Sequence, residues 1–221
     1  MNHHKKQAAY NDKRNVLNKA SLVEPIVRHR VQDSIFYKQY LYLTNESTIL
    51  NVIIEHVHYI GGTSANGKPS PFLCCMVRLL ELEPKQEIIQ MYLSQMGTNT
   101  FKYLTAMTLM YIRFVGSSEE IYSILEEYYK DYRKLRFQLK YPREHNGVHK
   151  LYTLTYMDEW VDDLLHKERL VDLILPRLAP RRFLQDAGRL PPRKYHIQLD
   201  SDVESTPEAS SADSSFESDS D

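Results

Sequence analysis

Two cysteines, Cys74 and Cys75, are all that this chain of 221 residues holds for covalent cross-linking. They are neighbours inside an apolar run, which leaves no disulfide framework and gives no sign of an oxidising compartment. Both read as small buried hydrophobes. No apolar run approaches the roughly 20 residues that a bilayer-spanning helix needs. The stretch His3-His4-Lys5-Lys6 lacks the apolar core of a secretory signal. The sequence therefore reads as soluble and intracellular, and the sequon Asn45-Glu46-Ser47 carries no consequence. Lys and Arg are missing from Asp200 to Asp221, which holds eight acidic residues and eight serines. Removing those acids from the 29 of the whole chain leaves 21 against 28 Lys and Arg, so residues 1–199 carry a formal charge of +7. A basic body with an acidic tail suits work among nucleic acids and charged proteins.

Complete catalytic signatures are lacking as well. Gly62-Thr63-Ser64-Ala65-Asn66-Gly67-Lys68 matches the first seven positions of a phosphate loop, but Pro69 stands where a Ser or Thr hydroxyl must hold the metal. Proline also removes a backbone N–H that a phosphate cradle uses. The loop reads as structural. Among the nine histidines, His56 and His58 sit two apart on a predicted helix and diverge, while His145 and His149 flank a turn with no obvious third ligand. Carboxylate pairs at Glu119-Glu120, Glu126-Glu127, Asp158-Glu159 and Asp162-Asp163 run along helices. Paired acid–base catalysts must instead oppose each other across a cleft. The expectation is a protein that is not an enzyme, with no catalytic, metal or cofactor-binding residues and no cofactor.

What the chain does have is helical periodicity. Residues 1–16 are polar and are expected to be disordered, as is the Ser/Asp/Glu tail 200–221, which has almost nothing to bury. Between them, residues 17–199 read as one domain, mainly α, with several helices and one small β-hairpin before the last long helix. A helical pattern over Leu17–Tyr42 offers Leu22, Ile26, Val31 and Ile35 as core positions, with Pro25 at a first turn. Thr44 reads as the N-cap of a second helix that ends near Gly61-Gly62. Pro71–Leu82 and Phe101–Val115 are apolar nearly all round, as buried central helices are. Pro84 opens a helix between them, and Gly97–Thr100 reads as a turn.

Ser117 and Glu120 form a capping box. The helix that follows is expected to carry Ile121, Ile124, Leu125, Tyr128, Tyr132, Leu135 and Leu139 on one face. Asn146-Gly147 is a strong hairpin signal, giving a predicted hairpin over roughly Phe137–Tyr156. From Met157 the spacing of Trp160, Val161, Leu164, Leu165, Val171, Ile174 and Leu175 predicts a helix running to Pro176, and Gly188 with Pro191-Pro192 ends regular structure. Its outer face is acidic, and the charge sign flips beyond the proline. The expected partner-binding residues are Asp131, Arg133 and Lys134 in one segment, Asp158, Glu159, Asp162 and Asp163 on this helix, and Pro176, Arg177, Arg181 and Arg182 after it.

Sixteen tyrosines is a high count. Tyr122, Tyr128, Tyr129, Tyr132, Tyr141, Tyr152 and Tyr156 fall among Arg133, Lys134, Arg136 and Arg143, a mixture that could stack on and neutralise RNA. Helical spacing assigns several of these tyrosines to the core. Direct RNA binding through this half is the alternative to protein binding.

Several blocks resemble the pre-mRNA-splicing factor 38 family: LVEPIVRHRVQDSIFYK (Leu22–Lys38), KPSPFLCCMVRLLELEP (Lys68–Pro84), FKYLTAMTLMYIRFVG (Phe101–Gly116), LEEYYKDYRKL (Leu125–Leu135) and MDEWVDDLLHKERLVDLILPRL (Met157–Leu178). They stand in the family's order and span roughly Leu22 to Arg193. The resemblance implies a nuclear, non-enzymatic scaffold of the U4/U6·U5 tri-snRNP and precatalytic spliceosome, required for its activation. The implied partners are a zinc-finger splicing factor, a microfibrillar-associated-protein-like factor and tri-snRNP core proteins, with snRNA or pre-mRNA contact indirect and no membrane. Larger animal relatives carry an Arg/Ser-rich C-terminal region. The short acidic tail here is similar to that of compact fungal members.

Overall fold

The computed structural model of the protein describes residues 17–95, 99–145 and 147–193. The N-terminal 16 residues, Gly97, Asn146 and the acidic tail lie outside them. Element order is a 3-10 turn Lys19–Leu22, α1 (Pro25–Asp33), a π-type turn Tyr37–Leu41, α2 (Thr48–His56), α3 (Pro71–Leu82), α4 (Gln86–Leu93), α5 (Lys102–Val115) and α6 (Ser118–Leu125). A second 3-10 turn Glu126–Lys130 then leads to β1 (Lys134–His145), β2 (Val148–Tyr156), α7 (Met157–His166), the short strands β3 (Arg169–Leu170) and β4 (Leu173–Ile174), and α8 (Arg181–Asp186).

The two helices that are apolar nearly all round form the centre. On α5 every residue from Tyr103 to Phe114 is buried, and α3 buries Phe72 through Val77 with Leu79 and Leu80. Ser70 caps α3 by accepting from Leu73 N, and Pro71 fills its first position. The single tryptophan, Trp160 on α7, is 1% exposed. Its indole N–H donates to the Ala106 carbonyl of α5 at 3.0 Å, and its ring meets Phe72 of α3 edge-on at 6.0 Å. One side chain thereby fastens α7 to both central helices.

Several boundaries differ from the periodicity, each for a physical reason. Val31 is in the core as expected, but Leu22, Ile26 and Ile35 are exposed and Ala20, Val23 and Val27 are buried instead. The extended backbone at Val23–Glu24 interrupts the pattern, so α1 starts its own phase at Pro25. Thr44 does not cap α2. Asn45 Oδ1 accepts from Ser47 N and Thr48 N, and the helix ends at His56, after which Ile60 pairs with Phe137. Gln86, not Pro84, opens α4.

The helix after the Ser117–Glu120 capping box stops at Leu125. Residues from Lys134 onward are strand, because pairing with β2 satisfies their backbone and packs Leu135 into the core. The last expected helix likewise stops at His166. The next turn, His166-Lys167-Glu168-Arg169, offers no apolar residue to the helix's buried face. Leu170, Leu173 and Leu175 are instead buried from the β3–β4 hairpin, whose turn residues Val171 and Asp172 both take positive φ.

That turn explains the phosphate-loop lookalike. Asp172 Oδ2 accepts from Thr63 N at 2.6 Å, which occupies an amide that a phosphate would need. A Cβ on Gly62 would stand 2.5 Å from the same carboxylate oxygen and 2.9 Å from the Val171 backbone. The glycine is there for close packing.

Candidate partner-binding site

The outer face of α7 carries the acidic residues, since Met157, Trp160, Val161, Leu164 and Leu165 point inward. Thr155 Oγ1 and Tyr156 N both donate to Glu159 Oε2, at 2.7 and 3.1 Å, which closes the N-terminal end of the helix. Asp162 accepts from Tyr129 Oη at 3.1 Å and pairs with His166, and Asp163 pairs with Lys167 at 2.7 Å. Together with Tyr129, Thr155, Asp158 and Glu159 these carboxylates line a concavity of about 460 Å³. Among the described residues the buried Asp158 Oδ1 receives no hydrogen bond. A carboxylate oxygen out of water and without a donor is an acceptor site for a cationic or N–H group.

The floor of this face is the second 3-10 turn. Its Tyr129 is half-buried, with the Arg193 guanidinium 5.1 Å over the ring. Burial, reinforced by the neighbouring Asp162 carboxylate, pushes the Tyr129 hydroxyl well above the ordinary tyrosine range, so it stays a donor. On the far side of the turn, Arg181 grips Glu126 with two bonds, Nε to Oε1 at 2.6 Å and Nη2 to Oε2 at 3.0 Å. The same guanidinium reaches Gln185 and the Pro191 carbonyl. The segment before α8 is held by Ala179 N to Ser118 Oγ and Tyr122 Oη to Ala179 O. A second concavity, about 310 Å³, opens there between Glu126, Glu127, Lys130, Arg181 and the Leu190–Pro192 segment.

The expected partner-binding residues thus fall into three settings. Asp158, Glu159, Asp162 and Asp163 share one face, and the 3-10 turn links it to α8. Arg177 and Arg182 are exposed, Pro176 is half-buried, and Arg181 is engaged with Glu126. Asp131 and Arg133 are turned inward on each other. Nε lies 3.0 Å from both carboxylate oxygens and Nη2 2.6 Å from Oδ2, with side-chain exposures of only 4% and 9%. Their carbonyls accept from Asp158 N and Met157 N, so this pair seats the first turn of α7. Lys134 is exposed at the foot of β1. Sequence reasoning had no means of finding the Tyr129–Asp162 and Arg181–Glu126 contacts, whose partners are 33 and 55 residues apart. Among the described residues, no group of three or more His, Cys, Asp or Glu side chains could hold a metal ion, and no helix is long and apolar enough to cross a membrane.

Comparison with known proteins gives a consistent result. Pre-mRNA-splicing factor 38A of Danio rerio is 35% identical over 192 residues, 86% of this chain and 58% of the relative. The human protein of that name is 35% identical over 190 residues, 85% of this chain and 57% of the relative. The chain spans somewhat under three fifths of the length of these curated relatives. A chain in the crystal structure of the Snu23–Prp38–MFAP1(217–258) complex of Chaetomium thermophilum superposes with a TM-score of 0.73 at 40% identity, over 82% of this chain and 89% of that one. The pattern of the PRP38 family matches residues 12–188, four fifths of the sequence, and the chain belongs to that family.

Proposed function

We propose that this chain is a non-enzymatic scaffold of the nuclear spliceosome that holds segments of other splicing proteins. The observation that carries the reading is its 40% identity to a chain that stands in complex with Snu23 and MFAP1. That likeness supports a zinc-finger splicing factor and a microfibrillar-associated-protein-like factor as its partners, and our reading sets it in the tri-snRNP before activation. The site is the acidic face of α7 with the basic residues beyond Pro176. Asp158, Glu159, Asp162 and Asp163 meet basic side chains of a partner, and Arg177 and Arg182 meet acidic ones. Exposed cation–carboxylate pairs of this kind set partner choice and association rate more than affinity.

Charge reversal is the direct test. The Asp162–His166 pair is more than half exposed at both ends, and exposed pairs contribute about 0–1 kcal/mol. The double variant Asp162→Lys, Asp163→Lys also removes the acceptor of the Tyr129 hydroxyl and the Asp163–Lys167 pair, so it should lose about 1–2 kcal/mol of stability and stay folded, while recovering at least about tenfold less partner, a change of roughly 1.4 kcal/mol. Undiminished recovery by a folded variant removes this face from the reading.

A further inference from the structure

The β1–β2 hairpin buries one face at its base and leaves the other open. Register decides which residues share a face. Lys134 pairs with Tyr156, Arg136 with Leu154, Gln138 with Tyr152 and, after a bulge, Arg143 with Lys150. Side chains at Lys150, Tyr152, Leu154 and Tyr156 alternate onto one side, so Lys134, Arg136, Arg143 and Lys150 lie on a single face. The opposite face carries Leu135, which is fully buried, and Phe137, so the cationic face is the outward one.

Three observations set this face apart. First, all four cations are exposed, and among the described residues none pairs with a carboxylate. Second, Arg143 and Lys150 are direct cross-strand partners, a like-charge placement that destabilises a hairpin unless an anion comes between them. The positive field extends to the hairpin's root, where Lys102 donates to the Lys134 carbonyl at 2.7 Å. Burial lowers that ammonium's pKa, and Arg136 and Arg133 lower it further. Third, the face continues into an aromatic tract. Tyr152 packs on Tyr59 at 5.0 Å. Tyr59 and Gln138 form one wall of a groove of about 450 Å³, with Ile35, Phe36 and Tyr40 on the other. Phe36, Tyr40 and His56 are in mutual ring contact there, at 4.4–5.5 Å. The π-type turn Tyr37–Leu41 shapes this wall, and such turns recur at functional sites.

We propose that the outward face of the hairpin and the aromatic groove at its root bind single-stranded nucleic acid. Consecutive side chains on one face of a strand are about 6.6 Å apart, close to one nucleotide of extended single strand. Lys134 and Arg136 stand one such step apart, and the Arg143–Lys150 pair lies about two steps beyond Arg136 across the Gln138–Tyr152 level, so the four cations neutralise phosphates along the strand while Tyr152, Tyr59 and Tyr40 offer ring faces to bases. Stacking on such rings tolerates any base, so the site reads no sequence. The proposal does not rest on the scaffold reading, because the acidic face of α7 is a separate surface.

The test is fluorescence anisotropy of the full chain with labelled single strands of about a dozen nucleotides, as RNA and as DNA of the same sequence. Four phosphate contacts give a slope of log affinity against log salt of about −3. The variant Lys134→Gln, Arg136→Gln, Arg143→Gln, Lys150→Gln should flatten that slope, and each single change should remove roughly 0.7 of it. Tyr152→Ala should weaken binding about fivefold or more at unchanged slope. Tyr152→Phe, which keeps the ring, should bind as the parent does, so a folding defect in the alanine variant is recognisable. Equal affinity for the two strands assigns recognition to phosphate and base alone; tighter RNA binding assigns the 2′-hydroxyl a part. No binding at low salt overturns the proposal, as does a parent slope retained by the fourfold variant, or duplex bound as tightly as single strand. So does a fourfold variant that loses a protein partner while holding RNA as before.

Discussion

Asp131→Ala is the sharpest probe of how this fold seats its most distinctive helix. The substitution removes the three bonds that the Asp131 carboxylate accepts from the Arg133 guanidinium, in a site where that side chain is 9% exposed. Removing one partner of a buried ion pair costs about 3–5 kcal/mol. The pair keeps a little contact with water, at 4% and 9% side-chain exposure, which favours the lower end, about 3 kcal/mol. For a domain of this size that lowers Tm by roughly 6–12 °C. The loss should also be local: the Asp131 and Arg133 carbonyls accept from Asp158 N and Met157 N at 3.1 and 3.0 Å, so those two amides should exchange faster than the rest of α7. Urea unfolding followed by the emission of Trp160, the sole tryptophan, measures the global term at constant m. The double variant Asp131→Ala, Arg133→Met should regain most of the stability, because an apolar chain leaves no uncompensated charge. A loss under about 1 kcal/mol for the single variant would mark a surface-type pair. Together with a double variant no better than the single, it would refute the reasoning.

Gly62→Ala forces the β3–β4 turn off the 61–63 loop, since the added methyl meets Asp172 and the Val171 backbone at 2.5 and 2.9 Å. Thermal unfolding should show a loss of about 1–3 kcal/mol, while calorimetric titration of the parent with Mg-ATP gives no heat. Ser117→Ala removes one half of a capping box in which Glu120 N donates to Ser117 Oγ and Ser117 N to Glu120 Oε2. Urea unfolding should read a loss of about 1 kcal/mol, and Ser117→Asp should restore it. Burial raises the Tyr111 and Tyr128 hydroxyls to about 12, so from about pH 10 the unfolded chain releases these protons before the native one, and stability falls as pH rises. Arg113, which burial lowers to about 10, acts with the opposite sign over the same range, because the native state releases that proton first. Two tyrosines against one arginine leave a net fall, to be read from urea midpoints between about pH 9 and pH 12.

Short-range physics was legible in the sequence. The buried central helices α3 and α5, the capping box at Ser117, the apolar stripe of α7 and the turn signal of a hairpin ending at Tyr156 all depend on residues within a few positions of one another. Propensity, capping and period decide such features locally. Tertiary structure decided everything that needed a distant partner. Tyr132–Leu139 fits a helical face as well as a strand, and the tie is broken by pairing with residues about 20 positions later. Val171, Ile174 and Leu175 extend the stripe of α7 on paper. The polar turn at His166–Arg169 and the docking of Asp172 on Thr63 make a second hairpin of them. Charge was the least legible property. Asp131, Arg133 and Arg181 read as surface charges, yet the fold supplies each with a partner. At Lys134, Arg136, Arg143 and Lys150 it supplies none among the described residues. A charged side chain reveals its role only when the fold shows whether the opposite charge already lies beside it.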